Sequence, residues 1–360
     1  MNIIFGIGDY TAKGGTERVT IALANALSRK MNVSILTLGG KNVDPIFRVK
    51  EEVKIINLKN TKSFHSRKGG IFGLIFDIIY ILKNMFPIRK KILEKSADYI
   101  TGTDIKLTFL FYLASLGTKT KVIATEHFDY GVPCFVLKKL RSLYYKKLHN
   151  VVTLTDEDID NYKKIGAKVL VIPNIASFKV DQVSLMNKKK IISVGRLTYQ
   201  KGYDLLIESW EKLEKKFPEW NLEIFGEGED KEKLLNDIKS RDLRNIKLKG
   251  FSNNIKEEYL ESSIYVMSSR YEGLPTVLIE ALSNGIPCVS FACPTGPKSI
   301  IKNKINGYLA ENGKIEDLAE KLELIISNEK LRNEMAKNAP KSIEQFSEGR
   351  VVEKWEKILI

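Results

Sequence analysis

Short apolar runs alternate with longer amphipathic stretches along almost all of the 360 residues, and this alternation constrains the fold more than any single motif does. The runs are Asn2 to Ile7, Val33 to Leu38, Tyr99 to Thr101, Lys121 to Ala124, Val151 to Leu154, Val169 to Ile172, Ile191 to Val194, Leu222 to Phe225, Ile264 to Met267 and Cys288 to Phe291. Most are apolar at consecutive positions, which buries both faces of a strand and predicts parallel sheets covered by helices on either side. The length exceeds what one core usually fills, and 43% hydrophobic residues suffices for two. Val171-Ile-Pro-Asn174 and the polar stretch through Lys190 form the best linker, so domains are expected at 1–175 and 176–345, with a last helix from about Ser347 to Leu359 in the segment 346–360.

The richest stretch runs from Ser269 to Pro297 and contains Ser-Arg-Tyr-Glu-Gly-Leu-Pro-Thr. Glu272 falls in a loop ahead of a helix, and Glu280 lies eight residues on, within it. Pro275 suits the first helical turn, and Gly285 with Pro287 closes the far end. A helix N-terminus attracts phosphate, and carboxylates accept hydrogen bonds from sugar and ribose hydroxyls. Two glutamates on a solvated helix would leave the same pattern.

In Ser193-Val-Gly-Arg-Leu-Thr-Tyr-Gln-Lys-Gly-Tyr-Asp, Gly195 and Arg196 stand where a buried strand ends, and the next helix begins near Gly202. Arg196 as a fork and Lys201 as a point charge would grip a diphosphate there; two exposed basic residues in a turn would read alike. Leu222-Glu-Ile-Phe-Gly-Glu-Gly-Glu-Asp230 runs a strand into Gly226 and Gly228, which permit close backbone approach to a ligand or make a plain tight turn. Near the N-terminus Gly14-Gly15-Thr-Glu-Arg opens the first helix, and the Gly6-Ile-Gly8 before it lacks the third glycine of a dinucleotide fingerprint, which disfavours a nicotinamide or flavin enzyme. Glu126-His127 also follows a strand. His65 and His149 have no such setting and read as structural.

These blocks, in this order, resemble the retaining glycosyltransferases of family 4. Glu-x7-Glu within Arg-Tyr-Glu-Gly-Leu-Pro and Gly-Arg-x4-Lys-Gly are matched residue by residue. The resemblance implies the GT-B fold, two Rossmann-like α/β domains with parallel sheets facing across a cleft, the first for the acceptor and the second for the nucleotide sugar. It implies that the last helix packs back on the first domain. It assigns Arg196 and Lys201 to the donor pyrophosphate, Glu272 to the sugar hydroxyls, Glu280 to the ribose, and His127 to the face of the transferred sugar. Gly14, Gly15, Gly195, Gly226, Gly228, Gly273, Leu274, Pro275 and Thr276 would line the substrate.

The expected reaction moves a hexosyl unit, UDP-linked, to a hydroxyl of a lipid-linked glycan, with retention and without a metal ion or other cofactor. A sugar-nucleotide epimerase on the same architecture and a non-catalytic membrane-surface binding protein are the alternatives.

Charge is unevenly placed. Residues 1–180 carry 29 Lys and Arg against 15 Asp and Glu, a net +14 that equals the formal charge of the whole chain. Two basic amphipathic stretches, Arg67 to Lys91 and Val136 to Lys147, suggest an anionic membrane surface as a partner. No nucleic-acid motif accompanies the charge. Cys134, Cys288 and Cys293 cannot pair completely and lack metal-ligand spacing, and no signal peptide precedes the first strand, so a cytoplasmic protein held peripherally at the inner membrane face is expected. Asp156-Glu-Asp158 reads as an acidic helix start rather than a metal site.

Overall fold

Along the first strand, Ile3, Phe5 and Ile7 pack into one buried cluster and Ile4 into another, because successive side chains point to opposite faces. A strand buried this way must be covered twice, which the computed structural model shows. Residues 1–12, 14–40, 44–58, 71–175 and 182–359 are described. The chain divides into two compact units, Met1–Ile175 with Glu348–Ile360, and Ala176–Ser347.

The first unit holds β1 (Asn2–Asp9), β2 (Asn32–Gly39), β3 (Lys54–Asn57), β4 (Tyr99–Gly102), β5 (Lys121–Glu126), β6 (Asn150–Thr153) and β7 (Val169–Val171). Among the described residues they form one parallel sheet in the order β3-β2-β1-β4-β5-β6-β7. The second unit holds β8 (Lys190–Val194), β9 (Asn221–Phe225), β10 (Ile246–Gly250), β11 (Ile264–Met267), β12 (Cys288–Phe291) and β13 (Gly307–Ala310). These too are parallel, in the order β10-β9-β8-β11-β12-β13. Strand order reverses between β1 and β4 in one sheet and between β8 and β11 in the other. Crevices beyond the carboxyl ends of strands at such reversals are where open α/β sheets bind ligands.

The last helix, Glu348–Leu359, belongs to the first unit, where Val351, Trp355 and Leu359 are buried and Trp355 meets the Phe5 ring edge-on at 6.0 Å. Arg29 and Lys30 pair with its Glu348 and Glu356.

The basic stretches need correction. In the helix Phe135–Tyr144, Arg141 is fully buried, its guanidinium 3.5 Å from the Tyr130 ring centroid and donating to the Tyr130 carbonyl at 2.9 Å. Tyr144 and Tyr145 are buried as well, so none of the three faces a membrane. Phe135, Val136, Lys139, Leu143, Lys146 and Lys147 remain exposed. Residues 67–70 of the other stretch lie outside the described residues, as does His65, while the helix Ile71–Glu94 buries Tyr80, Ile88 and Ile92. Its Ile78, Ile79, Leu82 and Phe86 are exposed, Phe86 to 68%. Asp77, which interrupts the apolar run, pairs with Lys106 at 2.6 Å. No helix among the described residues is long and apolar enough to cross a membrane.

Candidate active site

Gly202 sets the geometry of the loop after β8. Its φ of 63° is left-handed, and a Cβ there would lie 2.2 Å from the Ser268 carbonyl, so only glycine lets this loop press against the one after β11. Tyr203–Glu214 is helical from the next residue on. Ser268 Oγ donates to the Lys201 carbonyl at 3.0 Å, Arg270 N–H to the Gln200 carbonyl at 2.8 Å, and Gln200 Nε2 to the Tyr271 carbonyl at 3.1 Å. Two loops flanking the strand-order reversal are thereby laced together.

Lacing brings Lys201 to Glu272. Lys201 Nζ lies 2.6 Å from Glu272 Oε1, and its methylene stem runs past Gly195, where a Cβ would sit 3.2 Å from Lys201 Cε. Glu272 is 8% exposed and Glu280 2%, so neither is a solvated helix carboxylate. The Thr295 hydroxyl donates to the Glu272 carbonyl, and Tyr259 Oη donates to Glu280 Oε2 at 3.3 Å. Cys293, in the same loop as Thr295, has its thiol pushed up to about 12 by burial and by the Glu272 charge, so it stays protonated and inert. Arg196 is exposed, and among the described residues no carboxylate pairs with it.

The helix carrying Glu280 is Thr276–Ser283, with Pro275 at its N-cap rather than in its first turn. Leu274 and Pro275 are buried and Gly273 and Thr276 half-buried. Gly285, at φ 72°, ends it. Gly226, at φ 149°, would place a Cβ 1.9 Å from the Gly195 carbonyl, and Gly228 one 2.2 Å from the Leu197 carbonyl. The close approach these glycines allow is therefore to the protein's own backbone, and it stacks the loop after β9 on the loop after β8.

In the first unit, Gly14 is extended at the N-cap of the helix Gly15–Leu27, with the Glu17 carboxylate where its Cβ would be, and Gly15 stands in open space. His127 follows β5 and lines a narrow apolar pocket with Phe5, Val19, Leu23, Val351 and Trp355. Burial drops its imidazole to about 4, so the ring is neutral near pH 7, and Nε2 has no partner among the described residues. The preceding Glu126 points the other way, accepts from Tyr145 Oη and is raised by burial. His149 packs on Tyr99 at 5.5 Å.

Asp156 and Asp158 do not converge. Asp156 is exposed, while Asp158 is buried and accepts from the Tyr130 N–H at 3.0 Å. Among the described residues no group of three or more metal-ligating side chains forms.

Two family models match the chain, Glycosyltransferase Family 4 over residues 13–176 and Glycosyl transferases group 1 over residues 174–342. An uncharacterized glycosyltransferase of Haemophilus influenzae is 31% identical over 363 residues, covering 99% of each chain. The chain belongs to glycosyltransferase family 4. An amylovoran biosynthesis glycosyltransferase of Erwinia amylovora is 30% identical over 98% of each chain. An alpha-1,4-N-acetyl-D-galactosaminyltransferase of Campylobacter jejuni, named for a PP-undecaprenol-linked glycan, is 27% identical over 100% of this chain and 98% of its own. TarM of S. aureus, in a crystal structure with UDP, superposes with a TM-score of 0.79 at 17% identity, covering 99% of each chain, which is a likeness of fold. Both sheets of this glycosyltransferase are those of the GT-B class.

Several residues that build the site were not singled out from sequence. Arg270 and Asp204 sit inside the quoted motifs, yet charge and position alone do not say that they face each other. Tyr259, Thr295 and Gly296 come from loops and helices whose approach only the fold reveals; a Cβ on Gly296, at φ 98°, would meet the Gly273 carbonyl at 2.4 Å.

Proposed function

We propose that this glycosyltransferase moves a hexosyl unit from a UDP-linked sugar to a hydroxyl of a lipid-linked glycan during surface polysaccharide assembly, with retention and without a metal ion. The observation that carries the reading is the pairing of Lys201 with a buried Glu272 at the strand-order reversal, with an exposed Arg196 on the same loop. Arg196 and Lys201 would hold the diphosphate and stabilise the charge that grows on it, and the N-terminus of the helix Thr276–Ser283 would add its free N–H groups. Glu272 would take the sugar hydroxyls and Glu280 the ribose. A neutral His127 would face the transferred sugar as a hydrogen-bonding group rather than a charge. Gly14 and Gly15, at the start of their helix, are assigned to the donor phosphates and the acceptor.

The chemistry would then consist mainly of positioning and charge stabilisation, with the departing phosphate accepting the proton of the attacking hydroxyl on the same face of the sugar. The PP-undecaprenol in one relative's name supports a lipid-linked glycan acceptor, the amylovoran biosynthesis in another's supports a role in polysaccharide assembly, and the UDP in the TarM structure supports a UDP donor. The relatives named above are transferases, which favours transfer over epimerisation or a binding role without catalysis. The first unit is assigned to the acceptor, docked on anionic lipid at the cytoplasmic membrane face by its exposed Ile79, Leu82, Phe86 and Phe135 and the lysines around them.

The test is incubation of the purified protein with a panel of nucleotide sugars and a lipid-linked acceptor, with and without EDTA, followed by NMR of the product. The expected result is transfer from a UDP-hexose with the donor's anomeric configuration kept and no loss on chelation. An inverted product, or activity that EDTA removes and manganese restores, contradicts this mechanism.

A further inference from the structure

We propose that Glu272 and the diphosphate compete for Lys201, so that Glu272 helps expel the spent nucleotide after transfer; the proposal rests on the donor reading above. The two cations of the loop after β8 differ in kind. Arg196 is exposed and has no carboxylate partner among the described residues, whereas Lys201 is paired with a carboxylate, its Nζ 2.6 Å from Glu272 Oε1.

That engagement is built in. The Lys201 stem lies along Gly195 and its carbonyl is held by Ser268, while the Glu272 backbone is held by Thr295. Glu272 is mostly enclosed and among the described residues Lys201 is the cation it pairs with, so withdrawing the ammonium leaves a buried carboxylate short of a counter-charge. An ammonium is a compact charge on a turnable stem, able to leave one anion for another.

A complete donor and a spent one present this carboxylate with different situations. With the sugar in place, its hydroxyls donate to Glu272 and make up for the ammonium that turns to the phosphates. After transfer the sugar is gone, nothing on the nucleoside diphosphate satisfies Glu272, and the carboxylate draws Lys201 back. The diphosphate then loses one charge-assisted contact, which corresponds to about a tenfold loss of affinity. Glu272 in this account discriminates donor from product in addition to contacting the sugar.

The experiment is calorimetric titration of UDP into the parent and the Glu272→Gln, Glu272→Asp, Lys201→Met and Lys201→Met/Glu272→Gln variants. Glu272→Gln should bind UDP about tenfold more tightly than the parent. Glu272→Asp, which keeps the charge but retreats by one methylene, should fall between them. In the Lys201→Met background the glutamine change should leave UDP affinity within twofold. Equal tightening with and without Lys201 would mean simple repulsion between Glu272 and phosphate and would overturn the exchange. So would unchanged or weakened UDP binding by Glu272→Gln and Glu272→Asp alike. If the parent does not bind UDP, the donor reading itself falls and takes the exchange with it.

Discussion

Arg270 grips Asp204 with both ends of its guanidinium, Nη1 to Oδ1 at 2.9 Å and Nη2 to Oδ2 at 2.6 Å. The same side chain lies 4.0 Å over the Tyr199 ring and donates to the Tyr199 carbonyl at 2.7 Å. Burial raises the Asp204 pKa, but the Arg270 fork outweighs it and holds the carboxyl below its ordinary value. A planar fork meeting a carboxylate fixes direction as well as distance, which is how the loop carrying Lys201 keeps its place against the loop carrying Glu272.

Arg270→Lys should therefore cost more than a conserved charge suggests. Turnover is expected to fall about tenfold or more, because a displacement of about 1 Å at Lys201 misplaces a charge that must meet the leaving group. Asp204→Asn should act in the same direction, and the double variant should cost little beyond either single one. Kinetics on the three variants checks this; additive losses would mean the pair does not act as a unit.

Glu280→Ala should weaken UDP binding by about tenfold, the loss of one hydrogen bond to a charged acceptor. Tyr259→Phe, which removes only the hydroxyl that reaches Glu280, should weaken it less. Unchanged UDP affinity in Glu280→Ala, measured by calorimetry on protein shown to be folded, would reduce Glu280 to a structural partner of Tyr259.

Much of the fold was legible because buried parallel strands are apolar at consecutive positions; β1, β2, β8, β11 and β12 announce themselves that way. Three strands were not foreseen, and all lie at sheet edges. In β3 only Ile56 is buried, β10 alternates Ile, Lys, Leu, Lys, and β13 is four residues opened by glycine, so none carries the continuous run that signals a central strand. The glutamates and the Lys201 loop were legible as motifs, whereas their pairing depends on which strands sit beside each other. The burial of Arg141, within the stretch Val136 to Lys147, is hidden for a related reason: a basic residue on an amphipathic helix reads as solvated, and its burial is made tolerable by the Tyr130 and Tyr162 rings packed around it and by the Tyr130 carbonyl.

His127 makes stability depend on pH. Its folded-state value of about 4 is below the roughly 6.5 of an unfolded chain, so the unfolded state binds the extra proton first. This contribution is complete above about pH 6.5 and is lost as pH falls toward 4. His127→Asn should remove it, so the melting temperatures of parent and variant, compared from pH 7 to pH 4, should converge or cross as pH drops. Parallel curves across that window would show that the ring is solvated enough to titrate normally.

The exposed apolar and basic residues of the first unit should hold it on vesicles containing acidic lipid, more weakly on neutral lipid, and less as salt rises, since exposed charges are screened over about 10 Å at ~0.1 M ionic strength. Replacing Lys138, Lys139, Lys146 and Lys147 with glutamine should reduce vesicle flotation and leave turnover on a soluble acceptor analogue intact. Flotation equal to the parent's would make these lysines a solvated helix face.

Catalysis by charge stabilisation on a departing diphosphate is tested most directly by UDP release from a UDP-hexose in the presence of acceptor, measured for the parent, Arg196→Ala and Lys201→Ala. Each substitution removes a contact that strengthens as the leaving group departs, so each should lower turnover by about a hundredfold or more while the protein stays folded. Turnover within a few-fold of the parent in both variants would contradict the account.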